Sequence, residues 1–251
     1  MTKIMMHGCN GVMGQVISKI IEETDDVVMA AGVDCQDDGH NDYPVFTNLA
    51  DCNVDIDAII DFSAAPAVDA LVDYAVEKQI PLVLCTTGLS DEQLEKVKEA
   101  STKVAILRSA NMSLGINTLV KLLKSMTKLL ADAGFDIDIV EKHHRRKLDA
   151  PSGTALALAE AVNEPLDNEY EFVYDRSQRR EQRPKKEIGI SAVRGGTIVG
   201  EHEIIFAGQD EVIELKHTAY SRAIFGKGAV SAALYLAGKP AGMYDMSDVI
   251  G

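Results

Sequence analysis

Between residues 3 and 112, short apolar runs alternate with segments of helical spacing. KIMMH (3–7), VVMAAGV (27–33), DAIIDFS (57–63) and PLVLCTT (81–87) are each a strand's length and largely apolar, the pattern of strands buried on both faces. VMGQVISKIIEE, AVDALVDYAVEK and SDEQLEKVKEAS carry apolar positions three and four apart, which predicts helices. Ser90 followed by Gln93 predicts a capping box at the last of these. Strands alternating with helices predict a parallel sheet with both faces covered.

The pattern changes after about residue 113. INTLVKLLKSMTKLLADA predicts one long amphipathic helix, and FDIDIVEKHH then alternates with period two. A second helix is expected from near Ser152. EIGISAVRGG, TIVGEHEIIFAG and EVIELKHTA are strand-like runs separated by glycine turns, expected to lie as neighbouring strands of one mixed or antiparallel sheet. The tail, GKGAVSAALYLAGK, is helical again. There is no internal repeat and no low-complexity segment.

Composition narrows the function class. A chain of 251 residues forms one large or two modest domains, and either buries a substantial core. The formal net charge of −14 argues against nucleic acid or a membrane surface as a general partner. No apolar run is long enough to cross a bilayer, and MTKIMMHGCNGVMG turns glycine-rich too early for a signal peptide. A cytoplasmic location is therefore expected. Cys9, Cys35, Cys52 and Cys85 are widely spaced, and buried thiols rather than a metal or redox site are expected.

GCNGVMG (8–14) lies between a predicted strand and helix, with glycines at 8, 11 and 14. Glycine permits the tight turn and lets backbone N–H groups approach a pyrophosphate at the helix N-terminus. Asp34, at the end of the second strand, is placed to hold ribose hydroxyls. No Lys or Arg occurs between Lys19 and Lys78, and Asp37 and Asp38 follow Asp34 closely. A 2′-phosphate needs a cation, so NADH is expected to serve at least as well as NADPH, with NADPH still possible.

Against this acidic background, EKHHRRKLDAPSGTA (141–155) concentrates cations and histidines. If the preceding strand continues in extended form, His143 and Lys147 share a side, facing one pocket with a proton donor and a cation. Clustered positive charge should depress the pKa of the histidines and of Lys147. Ser152 is a natural N-cap, and Gly153 and Thr154 would supply N–H groups and a hydroxyl at a helix start, a ready carboxylate site. The bland alternative is a solvated basic face beside an ordinary cap. Two adjacent histidines and an anion-binding turn exceed what such a face needs.

These residues resemble the bacterial 4-hydroxy-tetrahydrodipicolinate (dihydrodipicolinate) reductase family. The resemblance runs nearly end to end, through GCNGVMG, IIDFS, CTTGL, SANMSLGIN, EKHHRRKLDAPSGTA, VRGGTIVGEHEIIF and GAVSAALYLAGKPAGMYDMSDVIG. It implies an α/β fold: an N-terminal Rossmann-like dinucleotide-binding domain plus an α+β substrate and tetramerisation domain with an open mixed sheet. The expected boundaries are 1–112 completed by 226–251, and 113–225. It also implies an enzyme, an oxidoreductase of diaminopimelate and lysine biosynthesis. The hydride would go to C4 of a cyclic imine dicarboxylate with loss of water, no metal taking part, in a homotetramer.

By the same resemblance His143 is the acid/base histidine and Lys147 the proton donor, while His144, Gly153 and Thr154 bind substrate. Gly8, Cys9, Asn10, Gly11, Val12, Met13 and Asp34 correspond to the cofactor loop and its ribose acid. Cys85, Thr86 and Thr87 with Ser109, Ala110, Asn111 and Met112 correspond to segments on the nicotinamide side. Val12 and Cys35 stand where family members often carry basic residues, which strengthens the NADH expectation. A different NAD-dependent dehydrogenase, or a non-catalytic NAD-binding regulator, would lack the 143–154 block.

Three further features take bland readings. The basic stretch DRSQRREQRPKKE (175–187) is expected to be a solvated loop, and His202 and His217 to be ordinary strand-face residues. Arg194-Gly195-Gly196 is expected to form a tight turn.

Overall fold

A computed structural model describes residues 1–251. The chain begins β1 (Thr2–His7), α1 (Val12–Glu22), β2 (Val27–Val33), β3 (Val45–Phe46), β4 (Ala58–Asp61), α2 (Ala65–Lys78), β5 (Leu82–Leu84), α3 (Asp91–Ser101) and β6 (Ala105–Leu107). It continues through α4 (Leu114–Asp132), β7 (Asp136–His143), α5 (Gly153–Asn163), β8 (Glu171–Val173), β9 (Glu187–Arg194), β10 (Gly200–Ala207) and β11 (Val212–Ala219). It closes with α6 (Ala223–Leu236), β12 (Gly242–Tyr244) and α7 (Met246–Ile250). Two units result, one of Met1–Leu114 with Arg222–Gly251 and one of Gly115–Ser221.

The first unit is a seven-stranded sheet, β12-β6-β5-β4-β1-β2-β3, in which every pair is parallel. Because successive side chains point to opposite faces, Ile4, Met6 and Ile60 pack with Ile17 and Ile21 of α1 and Ala229 and Ala233 of α6. Met5 and Ile59 pack on the other face with Leu71 and Val72 of α2 and Val97 of α3. Both faces are covered, which is why these strands read as unbroken apolar runs. The strand order reverses at β1 and β4, so their C-terminal ends form the crevice where such sheets bind ligands. Ser90 and Gln93 form the expected capping box at α3.

The second unit is a mixed sheet, β11-β10-β7-β9-β8. Of β9, β10 and β11, expected as neighbours of one mixed or antiparallel sheet, β10 and β11 do pair antiparallel; β9 is instead parted from β10 by β7, which is parallel to β9 and antiparallel to β10. The Gly195-Gly196 segment is therefore a connection passing the end of β7, not a hairpin turn. Gly195 N–H donates to the carbonyl of His143, and Arg145 N–H to that of Gly196. Along β7 the buried positions alternate as Ile137, Ile139, Glu141 and His143. The first two join Ile188, Ile190, Ile204 and Phe206 against Leu123 of α4 and Leu158 and Val162 of α5. One face thus carries both the core and, at its end, two ionisable side chains.

Two loop expectations change. Arg176 holds the buried Glu187 through Nη1 at 2.5 and 2.6 Å, and Arg183 reaches Asp138 at 2.7 Å. Most of the stretch is exposed, as expected of a solvated loop, but Arg176, Arg179 and Arg183 turn back to form ion pairs on β7 and β9, because Glu187 needs compensating charge when buried. Cys35 is exposed just beyond the last buried residue of β2, whereas Cys9 and Cys52 are buried and Cys85 half-buried. No helix is long and apolar enough to cross a membrane.

Candidate active site

At the crevice of the first unit the glycine loop is sterically determined. Gly8 has φ +84°, and a Cβ there would lie 2.7 Å from the Phe62 carbonyl oxygen. A Cβ on Gly14 would lie 2.4 Å from the carbonyl oxygens of both Gly8 and Cys9. Gly11 is the N-cap of α1 and offers no side-chain cap, so the first-turn N–H groups have no acceptor within the helix. Asp34 accepts from the Asn10 N–H at 2.8 Å and from the Cys35 N–H at 2.7 Å, which pins its carboxylate beside the loop.

Gly8, Asn10, Gly11 and Asp34 line one cleft of about 710 Å³ with Cys35, Gln36 and Asp38, and no Lys or Arg joins them. A glycine cradle at a helix start with an acid across it fits a dinucleotide. The remaining expected cofactor residues do not line this cleft. The Cys9 side chain is buried in the core, Val12 is exposed on α1, and Met13 packs against the core. Burial, reinforced by Asp34, pushes the Cys9 thiol up to about 11. The half-buried Cys85 thiol is likewise raised, first by burial and then by Asp61.

Thr86 is buried and donates to Asp61 at 2.6 Å, while His7 Nδ1 lies 2.7 Å from the other oxygen of that carboxylate. Thr87 is exposed. Ser109 and Asn111 are half-buried and Ala110 exposed. The Met112 side chain lies in the core, and a Cβ on Gly228 would sit 1.6 Å from the Met112 carbonyl oxygen.

The second unit carries the titratable cluster. Glu141 has no exposed surface, yet its carboxylate meets three N–H donors and a histidine ring nitrogen. Arg194 forks onto both oxygens at 2.7 and 2.6 Å, the Ser152 N–H donates at 3.0 Å, and His143 Nδ1 lies 2.6 Å away. Burial pushes the Glu141 carboxyl up, but Arg194, His143 and Ser152 together outweigh it and hold it below the usual range. Burial lowers the His143 pKa; Glu141 opposes the shift, while Lys147 and Arg194 add to it. The expected lowering by nearby positive charge is present, through Lys147 and Arg194, but burial is the larger effect.

The extended alternation to Lys147 is also corrected. β7 ends at His143, and a turn follows in which the Lys147 N–H donates to the His144 carbonyl. The Gly195-Gly196 connection holds the chain end here, so strand geometry stops. Lys147 instead points its Nζ at Asp149, 2.8 Å away. That ion-paired hydrogen bond keeps the Asp149 carboxyl below its ordinary value, with a smaller contribution from the Gly153 N–H. His144 is half-buried, with Nδ1 buried and without a partner. Arg145 and Arg146 are exposed.

Ser152 caps α5 by accepting from the Ala155 N–H at 3.1 Å, as its position predicts. Its hydroxyl also lies 3.0 Å from His202 Nε2. His202 is buried, stacks edge-on against His143 with centroids 5.1 Å apart, and is pushed down to about 4 by burial and then by His143.

The models of the dihydrodipicolinate reductase N-terminus and C-terminus match residues 2–112 and 115–250. The chain belongs to the dihydrodipicolinate reductase family. A 4-hydroxy-tetrahydrodipicolinate reductase of Caldanaerobacter subterraneus subsp. tengcongensis is 50% identical over 250 residues, covering 100% of this chain and 98% of that one. A Clostridium tetani protein of the same name is 47% identical over 246 residues, covering 98% and 96%. The solved dipicolinate-bound dihydrodipicolinate reductase from Paenisporosarcina sp. TG-14 shares the fold. Its TM-score is 0.80 at 24% identity, covering 98% of this chain and 97% of that one.

Within this family member, residue-type reasoning passed over Glu141, Arg194 and His202. The signal for Glu141 was present: two residues before His143 on an alternating strand, it must share that histidine's face. Arg194 and His202 carried no local signal, since their place depends on which strands flank β7.

Proposed function

We infer that the protein reduces 4-hydroxy-tetrahydrodipicolinate to tetrahydrodipicolinate, with loss of water, using a nicotinamide cofactor in diaminopimelate and lysine biosynthesis. The observation that carries this is the full-length likeness, at 50% identity, to a reductase of that name. The net change consumes one hydride and one proton and releases one water. The reduced nicotinamide, when bound, supplies the hydride.

The chain's own residues divide the rest. The loop from Gly8 to Met13 holds the pyrophosphate on backbone N–H groups, and Asp34 holds the ribose. Cys85 to Thr87 and Ser109 to Met112 belong to the nicotinamide side. His144 contacts the substrate, and Gly153 and Thr154 hold one of its carboxylates at the start of α5. Lys147 donates the proton, and His143 exchanges protons as acid and base. A cation here also stabilises negative charge that develops on the ring as hydride arrives. The first unit is the cofactor domain and the second the substrate and oligomerisation domain of a cytoplasmic homotetramer.

NADH is used at least as well as NADPH. The absence of Lys and Arg from the cleft lining, with Asp34 and Asp38 present, supports this reading. The test couples the purified protein to freshly generated substrate and follows cofactor oxidation with NADH and NADPH separately. No oxidation with either overturns the function. A much higher kcat/KM with NADPH overturns only the preference.

A further inference from the structure

We propose that Glu141, clamped by Arg194, is the positioning residue that fixes His143 as its Nδ1–H tautomer and leaves Nε2 to exchange protons. The proposal rests on His143 being the acid/base group and adds the pair that orients it. An ionised carboxylate only accepts and has about four lone-pair sites. Three are met by unambiguous donors, the two guanidinium N–H groups of Arg194 and the Ser152 N–H. The remaining contact, 2.6 Å to His143 Nδ1, must then be an N–H donating to Glu141.

The register makes this arrangement rigid. Glu141 and His143 are alternate residues of one strand, and Arg194 is the β9 residue paired with His143. At the other end of the ring, a Cβ on Gly200 would lie 3.1 Å from Nε2. Glycine at that position leaves the atom room to meet a partner. Three charged groups act on the imidazole, Glu141 on its own strand, Lys147 from the turn and Arg194 from β9, while His202 from β10 packs edge-on against the ring. Glu141 favours the imidazolium and Arg194 opposes it, so the pair sets orientation without forcing a permanent charge.

The experiment is a 15N-histidine NMR titration of the full chain with Glu141→Gln and Arg194→Gln variants, alongside steady-state kinetics. Neutral wild-type His143 should show a protonated Nδ1 and an unprotonated Nε2. Its titration midpoint should move down in Glu141→Gln and up in Arg194→Gln, opposite shifts that simple loss of packing does not produce. In Glu141→Gln kcat should fall by about 100-fold or more, with KM for the cofactor little changed, and Glu141→Asp should recover part of it. An Nε2-protonated wild-type ring, or midpoints that stay or move together, overturns the proposal. If Glu141→Gln does not fold, the wild-type tautomer and Arg194→Gln decide. A His143→Gln variant with full kcat would instead sink the acid/base reading, while the tautomer still judges the role of Glu141.

Discussion

Acidification should weaken the second unit through His202, and the size of the effect can be worked out. The ring is buried, its Nε2 meets Ser152 and its Nδ1 has no partner. A protonated ring would therefore bury an N–H without an acceptor. His143, Glu141, His217 and Lys147 also act on its charge, but burial dominates and the pKa falls to about 4. An unfolded histidine titrates near 6.5. Between these values the unfolded chain holds a proton that the folded chain lacks, so stability present above about pH 6.5 is lost as pH falls toward 4. At about 1.4 kcal/mol per pH unit within the window, going from pH 7 to pH 5 costs about 2 kcal/mol from this residue. His202→Gln retains a polar group near Ser152 and does not titrate. Urea unfolding followed through the amide signals of β10 reads the second unit alone. Wild type should lose about 2 kcal/mol more than the variant between pH 7 and pH 5. Equal losses would refute the assignment of a neutral, desolvated His202.

Three substitutions test the site from other directions. Lys147→Ala should lower kcat by about 100-fold or more, measured with saturating cofactor; an unchanged rate refutes its role as donor. Gly14→Ala places a methyl 2.4 Å from two backbone carbonyl oxygens, so the loop must open and cofactor affinity should drop, as read by NADH titration. Cys35→Arg adds a cation directly after Asp34 in a cleft lined by none, and should raise kcat/KM for NADPH relative to NADH.

Local chemistry was legible where the pattern is local. The apolar runs of 3–7, 27–33, 57–63 and 81–87 became β1, β2, β4 and β5, the last two shortened at both ends. The three-residue strands β6, β8 and β12 were not read, because so short a segment shows no periodicity; β5 is as short but sits in a longer apolar run, PLVLC. Ser152 and Ser90 were legible as caps, since a cap depends on a few consecutive residues.

The amino-acid order alone determined that Glu141 and His143 share a face and that a helix starts after Ser152. It could not determine that β7 would lie between β9 and β10. That insertion sets Arg194 opposite His143 and His202 opposite Glu141. It turns a turn arginine and a strand-face histidine into parts of one buried network. Strand order and register are settled by contacts between segments 50 or more residues apart, such as Ser152 with His202. No window along the chain contains both partners, so only the folded sheet brings the charge, its counter-charge and the ring together.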